Sequence, residues 1–338
     1  AYVPPLQGNG ATGIPPGKMI DLTAKLDAEG GLEWEVPAGN WLILRLGHTS
    51  TGKRNAPASL TGLECDKLSK RGLDAHFPAM VGKLLETGPL DAAIIDSYEA
   101  GGQNWTPDFE REFEKRRGYS LADYYPVLAG FVVADEGVSA KFLYDFQQTV
   151  ADLFAENYFD YFAELCHKHG LRAILETYGG PFEYLRCSQN ADIPANEFWM
   201  GGAPNKLAGS IAHIYGKQPA AAEAFTSSER HGHGRQDPAM LKEYGDNAWL
   251  LGVNKLMLHS FVHQPWNNVK PGLTLGPWGS ALNRHNTWWN QFHPYIAYVN
   301  RSQALLGAGK PVADLLILSG ESNPNRLPTR DELAAAGF

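Results

Sequence analysis

Basic clusters, long apolar runs and paired cysteines are all missing from this sequence, and each absence removes a class of function. The 29 lysines and arginines are outnumbered by 37 aspartates and glutamates, for a net charge of -8, and they form no basic block. A nucleic-acid partner, whose phosphates call for such a surface, is therefore not expected. No apolar run approaches the roughly 18–20 residues that span a bilayer, so a soluble chain with no membrane partner is expected. The three cysteines, Cys65, Cys166 and Cys187, form no C-x-x-C pair. They read as small buried hydrophobes, not as a zinc knuckle or a disulfide framework. The G-x-S-x-G elbow, the G-x-x-x-x-G-K-[ST] phosphate loop and the Rossmann glycine fingerprint are absent as well. The first seventeen residues carry Pro4, Pro5, Pro15 and Pro16 without a basic start and apolar stretch, so no signal peptide is read there.

What is present is an alternation. Short apolar runs at 41–46, 92–98, 171–177, 192–198, 219–225, 255–261 and 312–318 read as strands. Helical spacing separates them at 66–86, 107–117, 138–169, 205–215, 238–251 and 287–306. Repeated strand–helix units imply a parallel sheet, and this many favour an α/β fold of the (β/α)-barrel, TIM-like kind. Seven strands are countable; the eighth is not found in 319–338, which reads as truncation near the last strand. Residues 20–36, with Leu32-Glu33-Trp34-Glu35-Val36 alternating, read as β-structure preceding the barrel.

The acids fall at the strand ends. The runs close as Ile95-Asp96-Ser97-Tyr98-Glu99, Leu175-Glu176-Thr177-Tyr178, Asn196-Glu197-Phe198-Trp199 and Ala222-Glu223-Ala224-Phe225-Thr226. Barrels keep their active sites at the C-terminal mouth, and cleavage of a glycosidic bond uses two carboxyl groups. Any one of these acids could be a salt bridge or a capped loop. Four on successive strands repel one another unless function or a cation holds them, and a hard, oxygen-loving ion such as Ca²⁺ suits such donors. Asp96 and Glu99 are three apart, so both can face the mouth only if the chain has left strand geometry by Ser97 or Tyr98. His259 and His263, with Trp266, favour substrate hydrogen bonding over a structural role or a metal. Trp105, Trp199, Trp266, Trp278, Trp288 and Trp289 are candidate stacking surfaces for sugar rings, as against core filling, although Trp288-Trp289 opens a helix and at least one of that pair is expected in the core.

The segments Gly62-Leu63-Glu64-Cys65-Asp66-Lys67-Leu68-Ser69, Asp96-Ser97-Tyr98-Glu99-Ala100-Gly101-Gly102-Gln103-Asn104-Trp105-Thr106, Ala222-Glu223-Ala224-Phe225-Thr226-Ser227, His259-Ser260-Phe261-Val262-His263-Gln264-Pro265-Trp266 and Asn283-Arg284-His285-Asn286-Thr287-Trp288-Trp289 resemble those of glycoside hydrolase family 106, the α-L-rhamnosidases. The resemblance runs in order from about residue 39 to residue 320. It implies an inverting exo-hydrolase that releases terminal α-L-rhamnose, with Ca²⁺ near the sugar hydroxyls and a periplasmic or secreted location. It also implies a longer protein with flanking β-domains, so that 1–38 would be the tail of an upstream β-rich domain and 39–338 the catalytic barrel. Carried over by motif, Glu99 is the acid or base. Its opposite number is Glu223 or Glu229, with Glu223 preferred for its strand-end position. Asp96 is a supporting carboxylate, Glu176 and Glu197 are metal or sugar-hydroxyl candidates, and His259, His263, Trp266, Trp105 and Trp199 contact substrate. A retaining glycosidase using two of the same acids, and a non-catalytic carbohydrate-binding fragment, are the competing readings.

Overall fold

The computed structural model describes residues 13–15, 17–54, 62–202, 205–318 and 328–337. The chain divides into two compact units, Ala1–Leu68 with Ala100–Leu153 and Ser69–Glu99 with Phe154–Phe338. In chain order the regular elements are α1 Lys70–Phe77, α2 Lys83–Thr87, β1 Ala92–Ile95, α3 Phe109–Arg117, α4 Tyr125–Leu128, α5 Glu136–Phe154, α6 Tyr161–Lys168, β2 Arg172–Glu176, α7 Tyr184–Cys187, β3 Ile193–Trp199, α8 Leu207–Tyr215, β4 Ala221–Thr226, α9 Pro238–Leu250, β5 Lys255–Leu258, α10 His293–Ala308 and α11 Arg330–Ala335. Turns of π-type, Pro78–Gly82 and Ala155–Asp160, join α1 to α2 and α5 to α6.

The first unit is helical and aromatic. Phe109 and Phe113 of α3 and Phe142 and Phe146 of α5 are fully buried and meet ring on ring, Phe109 with Phe146 at 5.0 Å and Phe113 with Phe142 at 5.8 Å. Helix α3 carries Glu110 and Glu112 in its first turn and Lys115, Arg116 and Arg117 in its last, matching the helix dipole. It stops at Gly118, whose left-handed φ of 81° lets its N–H bond back to Glu114.

The second unit is built on a five-stranded, all-parallel sheet in the order β1-β2-β3-β4-β5, half of a barrel wall. Parallel neighbours cannot be joined by tight turns, and the crossovers carry helices: α6 lies before β2, α8 before β4 and α9 before β5. Asp237 caps α9 by accepting from the N–H groups of Ala239 and Met240, and Pro238 occupies the first turn, where a missing N–H does no harm. On its helix side the sheet buries Phe198, Ala224, Leu256 and Leu258 against Phe225, Leu241, Phe292, Tyr295 and Val299.

Two expected strands are not formed. Residues 41–46 and 312–318 carry no ladder, and neither does 32–36, where a bridge between Leu26 and Leu32 is the only pairing described. A strand exists only through a neighbour, and these runs have none among the described residues. Leu42 and Ile43 are more than half exposed, and Val312, Leu316 and Leu318 almost wholly so. Apolar composition predicts a buried strand, but pairing decides whether one forms. The search for an eighth strand falls partly on 319–327, and the reading of the N-terminal segment mostly on 1–12, both outside the described residues.

Candidate active site

Register builds the site. Parallel partners share a face, and the pairs Ile94↔Ile174, Ile174↔Ile193, Glu176↔Ala195, Glu197↔Glu223 and Glu223↔Met257 put Ile94, Ile174, Ile193, Ala195, Ala221 and Met257 on the side opposite the helices. Ile193, Ala195 and Ala221 pack there with Ile174 and Met257 as an apolar floor. Two residues further along each strand, on that same face, stand Asp96, Glu176, Glu197, Glu223 and His259. The sheet therefore stacks a layer of acids on a layer of hydrocarbon at its C-terminal end.

β1 ends at Ile95, so Asp96 already lies beyond the strand. Its Oδ1 accepts from the N–H of Ser97 at 2.7 Å. Carboxylate oxygens of Asp96, Glu176 and Glu223 lie within 4.8 Å of one another. Glu176 is fully buried, and its Oε1 has no hydrogen-bond partner among the described residues. Burial first, then the charges of Asp96 and Glu223, push its carboxyl up to about 9. Burial foremost, with the charges of Asp96 and Glu197, raises Glu223 to about 7 against the opposing hydrogen bond from Thr226.

Three further groups tie the layer together. Tyr178 Oη stands 3.1 Å from Glu176 Oε2 and 3.2 Å from Glu197 Oε2, spanning two strands, and burial between those carboxyls drives the phenol sharply upward. Thr226 Oγ1 donates to Glu223 Oε1 at 2.8 Å and lies 3.3 Å from His259 Nδ1. His259 Nδ1 is 3.2 Å from Glu223 Oε1. Burial lowers the proton affinity of the histidine, against the opposing charges of Glu197 and Asp96.

A bulge in β4 delivers Thr226. Phe198 pairs with Ala224 but Trp199 pairs with Thr226, leaving Phe225 as an extra residue at a φ of 72°. Strict alternation would turn Phe225 to the acid face and Thr226 to the helices. The inserted residue reverses this: the Phe225 ring drops into the apolar cluster, edge to face with Phe198 at 5.1 Å, and Thr226 turns to Glu223.

The structure thus brings together Asp96, Glu176, Glu197, Glu223 and His259 of the residues read from sequence. The group nearest to holding an ion is Asp96, Glu176 and Glu223, with Glu197 joined through Tyr178, and not the Glu176–Glu197 pair by itself. Glu99 is exposed and lies outside that group. Glu229 is 81% exposed, with His233 Nε2 2.8 Å from its Oε2. His263 and Trp266 are exposed on the segment after β5. Trp199 closes β3 on the acid face, whereas Trp105 belongs to the helical unit, stacked on Phe109 at 5.0 Å. Tyr178 and Thr226 were missed by the reading of acids. Tyr178 was findable, since it lies two residues beyond Glu176 and so on the same face. Thr226 was not, because only the bulge places it there.

A parallel half-barrel bearing a layer of carboxyl groups at its strand C-termini is the frame of a glycoside hydrolase catalytic domain. This chain belongs to the alpha-L-rhamnosidase family of glycoside hydrolases, whose model matches residues 4–336. It is similar to the solved rhamnosidase from Novosphingobium sp. PP1Y, with 30% identity and a TM-score of 0.74 over 89% of this chain and 31% of that one. It is 44% identical over 333 residues to a Formosa agariphila protein named "Putative beta-glucuronidase", covering 95% of this chain and 28% of that protein. The chain thus spans about a third or less of the length of these relatives.

Proposed function

We propose that the chain carries the catalytic centre of an exo-acting α-L-rhamnosidase that inverts configuration, taking terminal rhamnose from glycans or glycosides. The observation that carries the reading is the three-acid group on the apolar floor. Oxygens within 4.8 Å are closer than the roughly 6.5–9.5 Å between the carboxyl groups of an inverting pair, which favours a partner from outside the group. Glu99, on the segment leaving β1, is taken as the acid. Glu223 is the base, activating a water on the far side of the sugar. Should a cation engage Glu223, Glu229 takes that role. Exchange of Glu99, Glu223 and Glu229 for Gln, one at a time, assigns the pair. Loss of about a thousandfold or more in kcat on an aryl α-L-rhamnoside is expected for Glu99→Gln and for the base, with the fold kept. Full activity in Glu99→Gln would remove it from the mechanism. Sugar binding without turnover by the parent chain would favour the binding-fragment reading.

The donor set fits a hard divalent cation. Asp96 and Glu176, with Glu197 joined through Tyr178, offer only oxygen beside the base Glu223, and the buried Oε1 of Glu176, without a hydrogen-bond partner among the described residues, is the atom that gains most from one. Bound Ca²⁺ would supply positive charge for sugar hydroxyls and relieve the repulsion that holds protons on Glu176 and Glu223. The reading also includes a complete protein in which 39–338 forms most of a closed (β/α)-barrel, 1–38 ends an upstream β-rich domain, and the enzyme works in the periplasm or outside the cell.

A further inference from the structure

Two tryptophans at the C-terminal end of the sheet stay open to solvent although buried polar groups hold the segment that carries one of them. Trp199 lies two residues beyond Glu197 on the acid face, opposite Thr226, and is 38% exposed. Trp278, 48% exposed, meets it edge to face with ring centroids 5.7 Å apart and planes at 78°. The segment that bears Trp278 is pinned from beneath. Ser227 Oγ, fully buried, stands 2.9 Å from the carbonyl oxygen of Pro277 and 3.1 Å from that of Gly279. Buried Gln236 donates to Ser227 Oγ at 2.8 Å and to Gly279 O at 3.3 Å. A side chain at Gly232 would bring its Cβ to 1.9 Å from Pro277 O, so the backbones there already touch.

The same segment is packed on the acid layer. Ser280 N–H donates to His259 O at 2.8 Å, Ser260 N–H donates to Ser280 O at 3.2 Å, and a Cβ on Gly279 would stand 2.9 Å from His259 Nδ1. Trp278 is therefore fixed immediately beside the histidine that faces Glu223. These contacts fix the backbone on either side of Trp278, so its indole is presented from a rigid base, and its ring meets that of Trp199. Exposed apolar surface rimmed by polar groups marks a ligand site. Here the two rings form a corner, with carboxyl groups on one side. A pyranose presents the matching chemistry, an apolar C–H face edged with hydroxyls. The strand rise puts Trp199 about 6–7 Å further out than Glu197, which is too far towards solvent to cover the sugar seated on the acids and about right for its neighbour.

We propose that Trp199 and Trp278 form a binding corner for the apolar face of a second pyranose ring, the one to which the released terminal sugar is attached. The assignment rests on the glycoside hydrolase reading given above and adds a preference to it: a glycan in place of a simple alkyl glycoside.

The test compares a disaccharide of rhamnose α-linked to a second pyranose with methyl α-L-rhamnoside, which lacks that ring. Trp278→Ala is expected to raise the disaccharide KM about five- to tenfold, the worth of an aromatic contact. Its kcat should change little and inhibition by methyl α-L-rhamnoside should stay within about twofold of the parent. Trp278→Phe, which restores a ring, is expected to recover most of the loss, and Trp199→Ala to repeat it. Equal weakening of both ligands, or no change in either, would overturn the corner. If the parent hydrolyses neither compound, the reaction fails but the corner is still judged by calorimetric titration with the disaccharide. Binding by the parent that Trp278→Ala loses supports it, while unchanged binding, or none to the parent, refutes it.

Discussion

Thr226 carries a single hydroxyl proton, and Glu223 Oε1 at 2.8 Å takes it. That bond orients a carboxyl that burial would otherwise leave loosely defined, and it opposes the rise in its proton affinity. Thr226→Val, which keeps the shape and removes the donor, is expected to lower kcat about tenfold with little change in KM, while Thr226→Ser keeps most of the rate. Steady-state kinetics on a rhamnoside decides it. Glu176 makes the opposite point about stability. Its carboxyl sits at about 9 against an ordinary 4.5, so between those values the folded chain keeps a proton that the unfolded chain releases. Stability therefore falls as pH rises from about 4.5 and reaches its full penalty near 9. At pH 7 the penalty is on the order of 3 kcal/mol. Glu176→Gln is expected to melt higher than the parent at pH 7 to 8 in chelator, and to show little difference near pH 4.5. An equal shift at both pH values would show that repulsion and burial are not the cause.

At the level of elements, β4 shows how a strand trades regularity for aim. The left-handed φ of 72° at Phe225 is unfavourable for any residue with a Cβ, and the buried ring, packed among Phe198, Leu241, Phe292 and Tyr295, holds it in place. Phe225→Ala removes that anchor, and a loss of about 3–5 kcal/mol is expected in urea unfolding. A loss well under that would mean the bulge does not depend on the ring. Five of the seven expected strands were readable because each carried a short apolar run ending in a polar residue. The helices were readable by their spacing. The segments 41–46 and 312–318 misled for a physical reason: composition reports what could be buried, while a strand also needs a neighbour's N–H and C=O groups. The Thr226 turn was unreadable for the same kind of reason, since a bulge is a relation between two strands.

Across the whole molecule the balance of charge points towards a neutral sugar. With a net charge of -8, the approach of a uronic acid is opposed by a long-range repulsion that a neutral deoxy sugar such as rhamnose does not meet. Aryl α-L-rhamnosides are expected to turn over well ahead of aryl β-glucuronides, and the reverse order would point instead to chemistry like that in the Formosa relative's name. Calcium is expected to act on the entire fold. An ion that binds only the folded acid group raises the melting temperature as its concentration rises, by about 2.7 kcal/mol at a hundred times its Kd, and chelator reverses the gain. Unchanged melting with and without Ca²⁺ would leave the acids held by protons alone.

The order of the acids along the chain, their places at strand ends and the family are properties of the sequence by itself, because side-chain alternation and helical spacing are local and the motifs are linear. Which acids meet is not local. Strand register set Glu197 opposite Glu223, the crossovers closed Asp96 on Glu176, and a one-residue bulge turned Thr226 inward. Distances between side chains from different strands set repulsion, proton affinity and the capacity to hold an ion, and those distances exist only once the sheet has formed.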